Sequence, residues 1–329
     1  MLSRVAQTVY WMSRYLERAE NTARLIESQL HMLLDLPSMR QDPNAWKPLV
    51  DITGDNEYFN QHFESYSREE VMQFHTFDRN YPHSIFSCLT AARENSRSIR
   101  EIIPSEMWEK INQLYLDILS FESKPGPLKN PHKFYSDIKM ACHLILGVAY
   151  STMAHGEAWN FSQLGRFIER ADKTSRILDV KYFMILPRID YVGSSMDSVQ
   201  WLALLKSTSS LEMYRKRFNL ISSQNIVDFL IFDREFPRSI LYCVNHAEQA
   251  YNKISGEPSE TYNTPLSRRI GKLTGKLNYS DVDEVMSLGL HQYLDDFQAE
   301  LNNVGNAIYD SFFAMKPVSE PNTAGAQMQ

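Results

Sequence analysis

The chain has 329 residues, 43% of them hydrophobic, which is enough to bury a sizeable core in one large domain or two ordinary ones. Average usage would give roughly 23 Gly and 16 Pro, so the 12 Gly and 14 Pro present indicate few glycine-built turns and argue against an all-β fold. With 34 Lys and Arg against 40 Asp and Glu, the formal charge is −6, and no global basic field exists to capture nucleic acid or anionic lipid.

The first segment predicts one long helix from about Ser3 to Leu36. Pro37 sets its end, because proline disfavours helical geometry in the residue before it. Apolar and small residues recur at alternating steps of three and four, which is the period of a helical stripe. The stripe comprises Val5, Val9, Met12, Leu16, Ala19, Ala23, Ile26, Leu30 and Leu33. Further helices are expected at about residues 45–52, 56–63, 67–77, 83–102, 105–121 and 133–156.

Two colinear blocks of sequence repeat, which indicates an internal duplication. Residues 14–27, RYLERAENTARLIE, align without gaps onto residues 166–179, RFIERADKTSRILD, with six of 14 positions identical at an offset of 152. Residues 74–89 align onto residues 229–244 with eight of 16 positions identical at an offset of 155. Two such blocks with nearly equal offsets are hard to produce by chance.

The sequence therefore predicts an all-α fold, a fused helical bundle built from a tandem pseudo-duplicated multi-helix unit. Residues 1–152 form the first repeat, residues 153–316 the second, and residues 317–329 a disordered tail. The repeated F-D-R-x-[YF]-P-x-S-I motif predicts a turn between helices, in which Asp78 and Asp233 bond free backbone amides and the proline starts the next helix.

The cysteines Cys88, Cys142 and Cys243 lie far apart among apolar neighbours and are expected to be reduced. No stretch of about 18 apolar residues occurs, and the first residues lack an uninterrupted apolar region, so we expect a cytoplasmic protein without a membrane partner. Phosphate-loop, dinucleotide, zinc-protease and nucleophile-elbow motifs are absent, and none of the nine histidines follows a glutamate by three residues as in di-iron bundles. No cofactor and no metal site are therefore expected.

Charged residues line the side of the first helix opposite its stripe, and the second copy repeats them. This set, the Arg/Glu seam, comprises Arg14, Glu17, Arg18, Arg24, Arg166, Glu169, Arg170 and Arg176. One interpretation is a solvated face with weak i,i+4 pairs. A face that is only solvated tolerates Lys in place of Arg or Gln in place of Glu. The eight residues instead form four pairs of corresponding positions, and each pair has the same residue type in both copies. We favour a buried structural seam, with arginine forks held by carboxylates or carbonyls, over a ligand site.

A second charged cluster occurs in one copy only. This cluster, the Arg93 surface, comprises Arg93, Glu94, Arg97 and Arg100, and the positions 155 residues later carry Glu, Gln, Asn and Ser. A duplicated scaffold needs its packing residues twice, whereas a site needs its residues once. The three arginines could bind phosphate or carboxylate groups of a ligand or partner, or they could form an exposed face paired with neighbouring glutamates.

The chain opens with W-M-x-R-Y-x-E-R-A-E-N-T-A-R and later repeats L-G-R-x-x-E-R-A-D, and with these motifs it resembles the bacterial alpha-E family over residues 1–316. The segments ARENSRSIR at 92–100 and SEMW at 105–108 extend the resemblance. The resemblance implies a helical domain encoded beside, or fused to, a circularly permuted ATP-grasp protein and often a transglutaminase-like protein. It implies a peptide-ligating or peptide-modifying system and supplies no reaction for the chain itself.

Three hypotheses about function follow. The first is a non-catalytic or accessory helical protein that binds an ATP-grasp partner, its peptide substrate, or both. The second is an enzyme of the same pathway that holds an anionic peptide or a phosphate-bearing substrate at the Arg/Glu seam, with Glu17 or Glu169 as general base. The third is a free-standing scaffold that recruits other chains. The absence of catalytic motifs favours the first.

Overall fold

The computed structural model describes residues 1–35, 42–122, 129–183, 194–256 and 261–314, and within these ranges the chain is helical without any strand. The all-α prediction is confirmed. The tail expected at residues 317–329 lies outside the described residues. The fifteen α-helices of the described ranges are α1 Ser3–Asp35, α2 Lys47–Asp51, α3 Asn56–His62, α4 Arg68–Phe77, α5 Ile85–Ser98, α6 Ser105–Glu122, α7 Pro131–Thr152, α8 Glu157–Phe183, α9 Ser195–Ser207, α10 Leu211–Arg217, α11 Ser223–Phe232, α12 Ile240–Ser255, α13 Pro265–Tyr279, α14 Val282–Leu288 and α15 Leu290–Ile308. A π-helical turn, Tyr309–Phe313, follows α15.

The turn predicted before α5 is present, but the proline does not start the helix. Asp78 accepts the backbone N–H groups of Asn80 and Tyr81 at 2.9 and 3.3 Å. The hydroxyl of Ser84 then accepts the N–H of Ser87 at 3.1 Å, so α5 begins three residues after Pro82. A serine N-cap defines the start of this helix because it satisfies one of the free amides.

The second copy forms the same turn with the same side chains. Asp233 accepts the N–H groups of Glu235 and Phe236 at 2.8 and 2.7 Å, and Ser239 caps α12 through the N–H of Tyr242 at 3.1 Å. The helices α10, α11 and α12 begin 155 residues after α3, α4 and α5. Helix order and capping thus agree with a tandem duplication, which stays a prediction.

The long helices α1 and α8 lie side by side at the centre of the bundle. Helix α1 packs against α5 and α7, and α8 packs against α12 and α15. Their N-terminal ends are close, with the Met1 ammonium group 2.7 Å from the Glu157 carboxylate. A Cβ added at Gly165 on α8 would lie 2.4 Å from the Tyr10 carbonyl oxygen. Glycine therefore permits the close approach of the two helices.

Helix α1 is buried on two faces. Its apolar stripe from Val9 to Leu33 is buried, and Val5 is half-buried. The opposite face is also buried, although it carries charged groups such as Glu17, Glu20 and Arg24. Because buried charges require partners, the packing of α8 against this face decides whether α1 is stable in its position.

Candidate functional site

Two pairs of side chains join α1 to α8 in a reciprocal arrangement. Arg18 donates from Nε and Nη2 to the two carboxylate oxygens of Glu169, at 2.6 and 2.9 Å. Arg170 donates in the same way to Glu17, at 2.7 Å for both bonds. All four side chains are buried. Each Glu-Arg dipeptide of one helix is therefore neutralised by that of the other through forked, charge-assisted bonds.

The two glutamates are held ionised. Burial alone would raise the pKa of Glu17 and Glu169, but the guanidinium groups outweigh it, so both pKa values lie below the ordinary value. A carboxylate with a lowered pKa, whose two oxygens are already occupied, is a weak proton acceptor. The geometry therefore gives no support to Glu17 or Glu169 as a general base.

Further charges extend the seam on the side of Glu169. Arg14 donates from Nε to Glu169 at 2.8 Å. Asp172 lies 2.9 Å from the Lys173 ammonium group and 3.1 Å from Arg176 Nε. Burial opposes ionisation of Asp172, but the charges of Lys173 and Arg176 prevail and lower its pKa to about 2. Arg14 thus shares the carboxylate of Glu169 with Arg18, and Lys173 shares the carboxylate of Asp172 with Arg176.

On the side of Glu17, a second group of charges forms around Glu20. One oxygen of the Glu20 carboxylate accepts bonds from Arg24 at 2.6 Å, Arg238 at 2.7 Å and His143 at 2.8 Å. Arg238 also donates to the side-chain oxygen of Asn21 at 3.0 Å. Sequence reasoning did not single out Arg238, because it lies on the turn before α12 and not on a long helix.

Arg166 stands apart from the other arginines of the seam because no carboxylate pairs with it within the described residues. It donates to the side chain of Gln163 and lies over the Phe167 ring. Its Nε is buried without a hydrogen-bond partner in this part of the chain. Burial and the charge of Arg170 lower the pKa of Arg166 to about 10.

Cations outnumber carboxylates around the seam. The eight cationic side chains that meet there in the described ranges are Arg14, Arg18, Arg24, Arg166, Arg170, Lys173, Arg176 and Arg238. The five carboxylates are Glu17, Glu20, Asp55, Glu169 and Asp172. The chain as a whole carries a formal charge of −6. On the Glu169 side, Arg14, Arg18, Lys173 and Arg176 stand against Glu169, Asp172 and Asp55, an excess of one positive charge. The rest of the excess lies on the Glu17 side.

A cavity of about 420 Å³ opens beside the Glu169 side of the seam. One of its walls is cationic and contains Arg14, Arg18, Lys173 and Arg176. The indole ring of Trp11 and two asparagine side chains of α15 complete this part of the lining. A cleft of this size, with a few convergent polar groups, suits a small organic ligand.

The Glu-Arg dipeptides that form the reciprocal pairs lead to the comparison with known proteins. Residues 1–313 match the model of a family described as a predicted α-helical domain with a conserved Glu-Arg motif. The chain belongs to the alpha-E family. No solved structure gives a significant match to it. Among the described helices, none combines the length and the hydrophobicity needed to cross a membrane.

Curated relatives of this alpha-E chain come from mycobacteria. Uncharacterized proteins of Mycobacterium bovis and of two strains of Mycobacterium tuberculosis are each 22% identical to it over 343 aligned positions. The alignment covers 97% of the alpha-E chain but only 38% of each relative. In these relatives the matched region is thus part of a much longer chain.

Several residues of the cavity were missed by sequence reasoning. They are Trp11, Asp55, His75, Tyr81, His83 and Lys173. The signal that could have found them is their difference from the residue at the corresponding position of the other copy. Those residues are, in the same order, Gln163, Ser210, Leu230, Phe236, Arg238 and Asn21. The retained positions supplied the seam, whereas the changed positions surround the cavity on one side of it.

His83 and Arg238 occupy corresponding positions before α5 and α12. Arg238 reaches Glu20, whereas the shorter His83 stays at the cavity wall with Nδ1 2.8 Å from Arg18 Nη1. Since arginine only donates, His83 Nδ1 accepts and Nε2 carries the hydrogen. Partial burial and the charges of Arg18 and Lys173 lower the pKa of His83 to about 4, so the ring is neutral at neutral pH.

In the Arg93 surface, Arg93, Glu94 and Arg97 lie on α5 and Arg100 follows the end of that helix. None of the four lines the cavity. Arg93 donates to the Asn112 side chain at 2.8 Å and to Glu94 at 2.6 Å, so it contributes to helix packing. Arg97 pairs with Glu94 at 2.8 Å and is 62% exposed, and Arg100 lies over the Trp108 ring at 5.1 Å. These contacts bring the four residues of this surface together.

One further cluster of titratable side chains lies between α8 and α15. Asp179, His291 and Asp295 place one potential metal-ligand atom each within 4.8 Å of one another. His291 Nδ1 is 2.9 Å from Asp179, and burial raises the pKa of Asp179 despite this contact. The arrangement is that of a histidine held between carboxylates, and Asp295 is 54% exposed.

A buried histidine predicts how stability depends on pH. Burial lowers the pKa of His75 from 6.5 to about 4. As the pH falls below 6.5, the unfolded chain therefore takes up a proton at this position before the folded chain does, and His75 alone lowers the free energy of unfolding by about 2 kcal/mol between pH 7 and pH 5. The seam carboxylates have lowered pKa values, so their contribution is lost only at lower pH. In urea unfolding at both pH values the loss should be about 2 kcal/mol larger in the parent than in His75→Leu, because the pKa of His83, which is also lowered, acts in both proteins; equal losses would contradict the assignment.

Proposed function

We propose that this alpha-E chain is an accessory component that holds an anionic ligand, bearing a carboxylate or phosphate group, beside the Arg/Glu seam for a partner enzyme. The partner proposed is the circularly permuted ATP-grasp protein that the family resemblance implies, with a transglutaminase-like protein as a further component. A cytoplasmic location is part of the proposal.

The four cations that line the cavity, and the way in which they share carboxylates, carry the ligand part of this proposal. Lys173 and Arg176 share Asp172, while Arg14 and Arg18 share Glu169. An anion entering the cavity would therefore meet cations that are positioned and incompletely neutralised. Fixed cations of this kind bind carboxylate or phosphate groups without reorganisation.

The length of the relatives supports the partner part of the proposal. In the mycobacterial proteins the matched region is 38% of the chain, so it is covalently continuous with further protein there. A helical unit that is joined to additional protein in its relatives is expected to contact other protein here as well. The exposed guanidinium groups of Arg97 and Arg100 are the surface we propose for this contact.

Affinity purification from the native host tests both parts in one experiment, because it retains partner proteins and small molecules together. We expect the parent to retain an ATP-grasp protein and, after denaturation, to release an anionic small molecule. The variant Arg97→Glu/Arg100→Glu should lose the partner and keep the ligand. Lys173→Asn, which copies the corresponding residue of the first repeat, Asn21, should lose the ligand and keep the partner.

The matched control for the surface variant is Lys133→Glu/Lys272→Glu, which changes the net charge equally at two exposed lysines of other helices. It should behave like the parent. Because exposed charges act mainly on the association rate, the partner complex should also weaken as ionic strength rises. A parent protein that retains neither an ATP-grasp protein nor an anionic ligand contradicts the proposed function.

A further inference from the structure

The cavity beside the seam has two chemically different walls. Lys173 and Arg176 on α8 provide donors and positive charge on one wall. Asp55, just before α3, and His75 on α4 provide acceptors on another part of the lining. Asp55 accepts the hydroxyl hydrogen of Tyr81 at 2.6 Å, which fixes its carboxylate at the cavity.

His75 is an acceptor without a donor. The ring is 4% exposed, and its Nε2 has no hydrogen-bond partner within the described residues. The other ring nitrogen bonds to the backbone of Leu49, and burial lowers the pKa of His75 to about 4. Nε2 is thus unprotonated at neutral pH. A buried polar atom without a partner is costly, and none of the described residues supplies the donor that His75 Nε2 lacks.

We infer that the cavity binds a small zwitterion of the amino-acid type, whose anionic group meets Lys173 and Arg176 and whose protonated amine donates to Asp55 and His75. This inference rests on the proposed function, since it requires that the cavity binds an anion. The inference adds a second group to the proposed ligand, a positively charged hydrogen-bond donor. The cationic wall then binds the anionic group of the ligand, and the wall with the acceptors binds its amine.

The second copy supports this assignment by contrast. At the positions of Asp55 and His75 it carries Ser210 and Leu230, which remove the carboxylate and the ring acceptor. On the Glu20 side of the seam, the guanidinium of Arg238 donates a hydrogen bond to the Glu20 carboxylate, so a cation of the chain itself pairs with this acid. The Glu169 side of the seam, which borders the cavity, thus has the two acceptors, whereas the Glu20 side has the guanidinium of Arg238.

Two probes that differ by one group test the inference, namely L-glutamate and glutarate. Both carry two carboxylates, and L-glutamate adds the ammonium group. Calorimetric titration at pH 7 should give about tenfold tighter binding for L-glutamate, although glutarate has the larger net negative charge. A site that recognises only negative charge would bind glutarate more tightly than L-glutamate, because glutarate has the larger net negative charge.

Two variants that copy the second repeat make the test specific. In Asp55→Ser and in His75→Leu the preference for L-glutamate should fall towards one, while the affinity for glutarate stays within about twofold of the parent. Binding of glutarate without any preference for L-glutamate would overturn the inference and leave the proposed anion site intact. Absence of binding for both probes in the parent would overturn the anion site as well. If both variants still prefer L-glutamate as strongly as the parent does, the amine does not bind to Asp55 and His75, and the inference is overturned.

Discussion

Replacing Glu169 by glutamine should lower the free energy of unfolding by about 3 to 5 kcal/mol, because the change leaves Arg14 and Arg18 without their carboxylate in a buried site. The measurement is urea unfolding at pH 7. The matched control is Glu94→Gln, which removes a similar contact to the exposed Arg97 and should cost less than about 1 kcal/mol.

A double variant separates the cost of a stranded charge from the value of the pair. Glu17→Met/Arg170→Met replaces a bidentate pair by two apolar side chains of similar size. It should be more stable than either single variant, since no charge is then left unpaired. If Glu169→Gln unfolds like the parent, the seam is a hydrated face and its burial has no energetic consequence.

Replacing His83 by arginine should weaken the binding of glutarate at least tenfold while the free energy of unfolding changes by less than about 1 kcal/mol. The reason lies in the second copy, where Arg238 at the corresponding position reaches Glu20 at 2.7 Å. An arginine at position 83 would reach Asp172, the counterpart of Glu20, and place a guanidinium where the ligand is proposed to bind.

The control for this prediction is His83→Asn, which keeps the space open and should retain glutarate binding. Inorganic phosphate, titrated in parallel, shows whether the site also takes a phosphate group. A His83→Arg protein that binds glutarate as tightly as the parent would place the anion site elsewhere. A parent that binds neither probe would remove the ligand part of the proposed function.

The sequence predicted those parts of the molecule that depend on local periodicity. The stripe from Val9 to Leu33 defined α1, and the retained Glu-Arg dipeptides identified the seam, because helical spacing and repetition are both visible in one dimension. The expected burial and mutual bonding of Glu17, Arg18, Glu169 and Arg170 is observed. Their part in a ligand site stays a prediction.

The cavity was not predictable in the same way, because its walls come from separate elements. Asp55 follows α2, His75 lies on α4, and Lys173 lies on α8, so no single helical pattern unites them. The substitution of Lys173 for Asn21 was visible in the aligned repeats as the position that is neither identical nor conservative. Its meaning required the neighbours that only the packing of α8 reveals.

The reciprocal pairs between α1 and α8 can form only after α8 has been synthesised. Glu17 and Arg18 lie on α1, and the ribosome adds their partners on α8 only 151 to 153 residues later. At about 5 to 20 residues per second, the charged face of α1 waits roughly 8 to 30 s for α8. Contacts this distant in sequence are also slow to form. The charged face of α1 therefore stays hydrated and without its α8 partners until α8 has been synthesised, so the centre of the bundle is completed late.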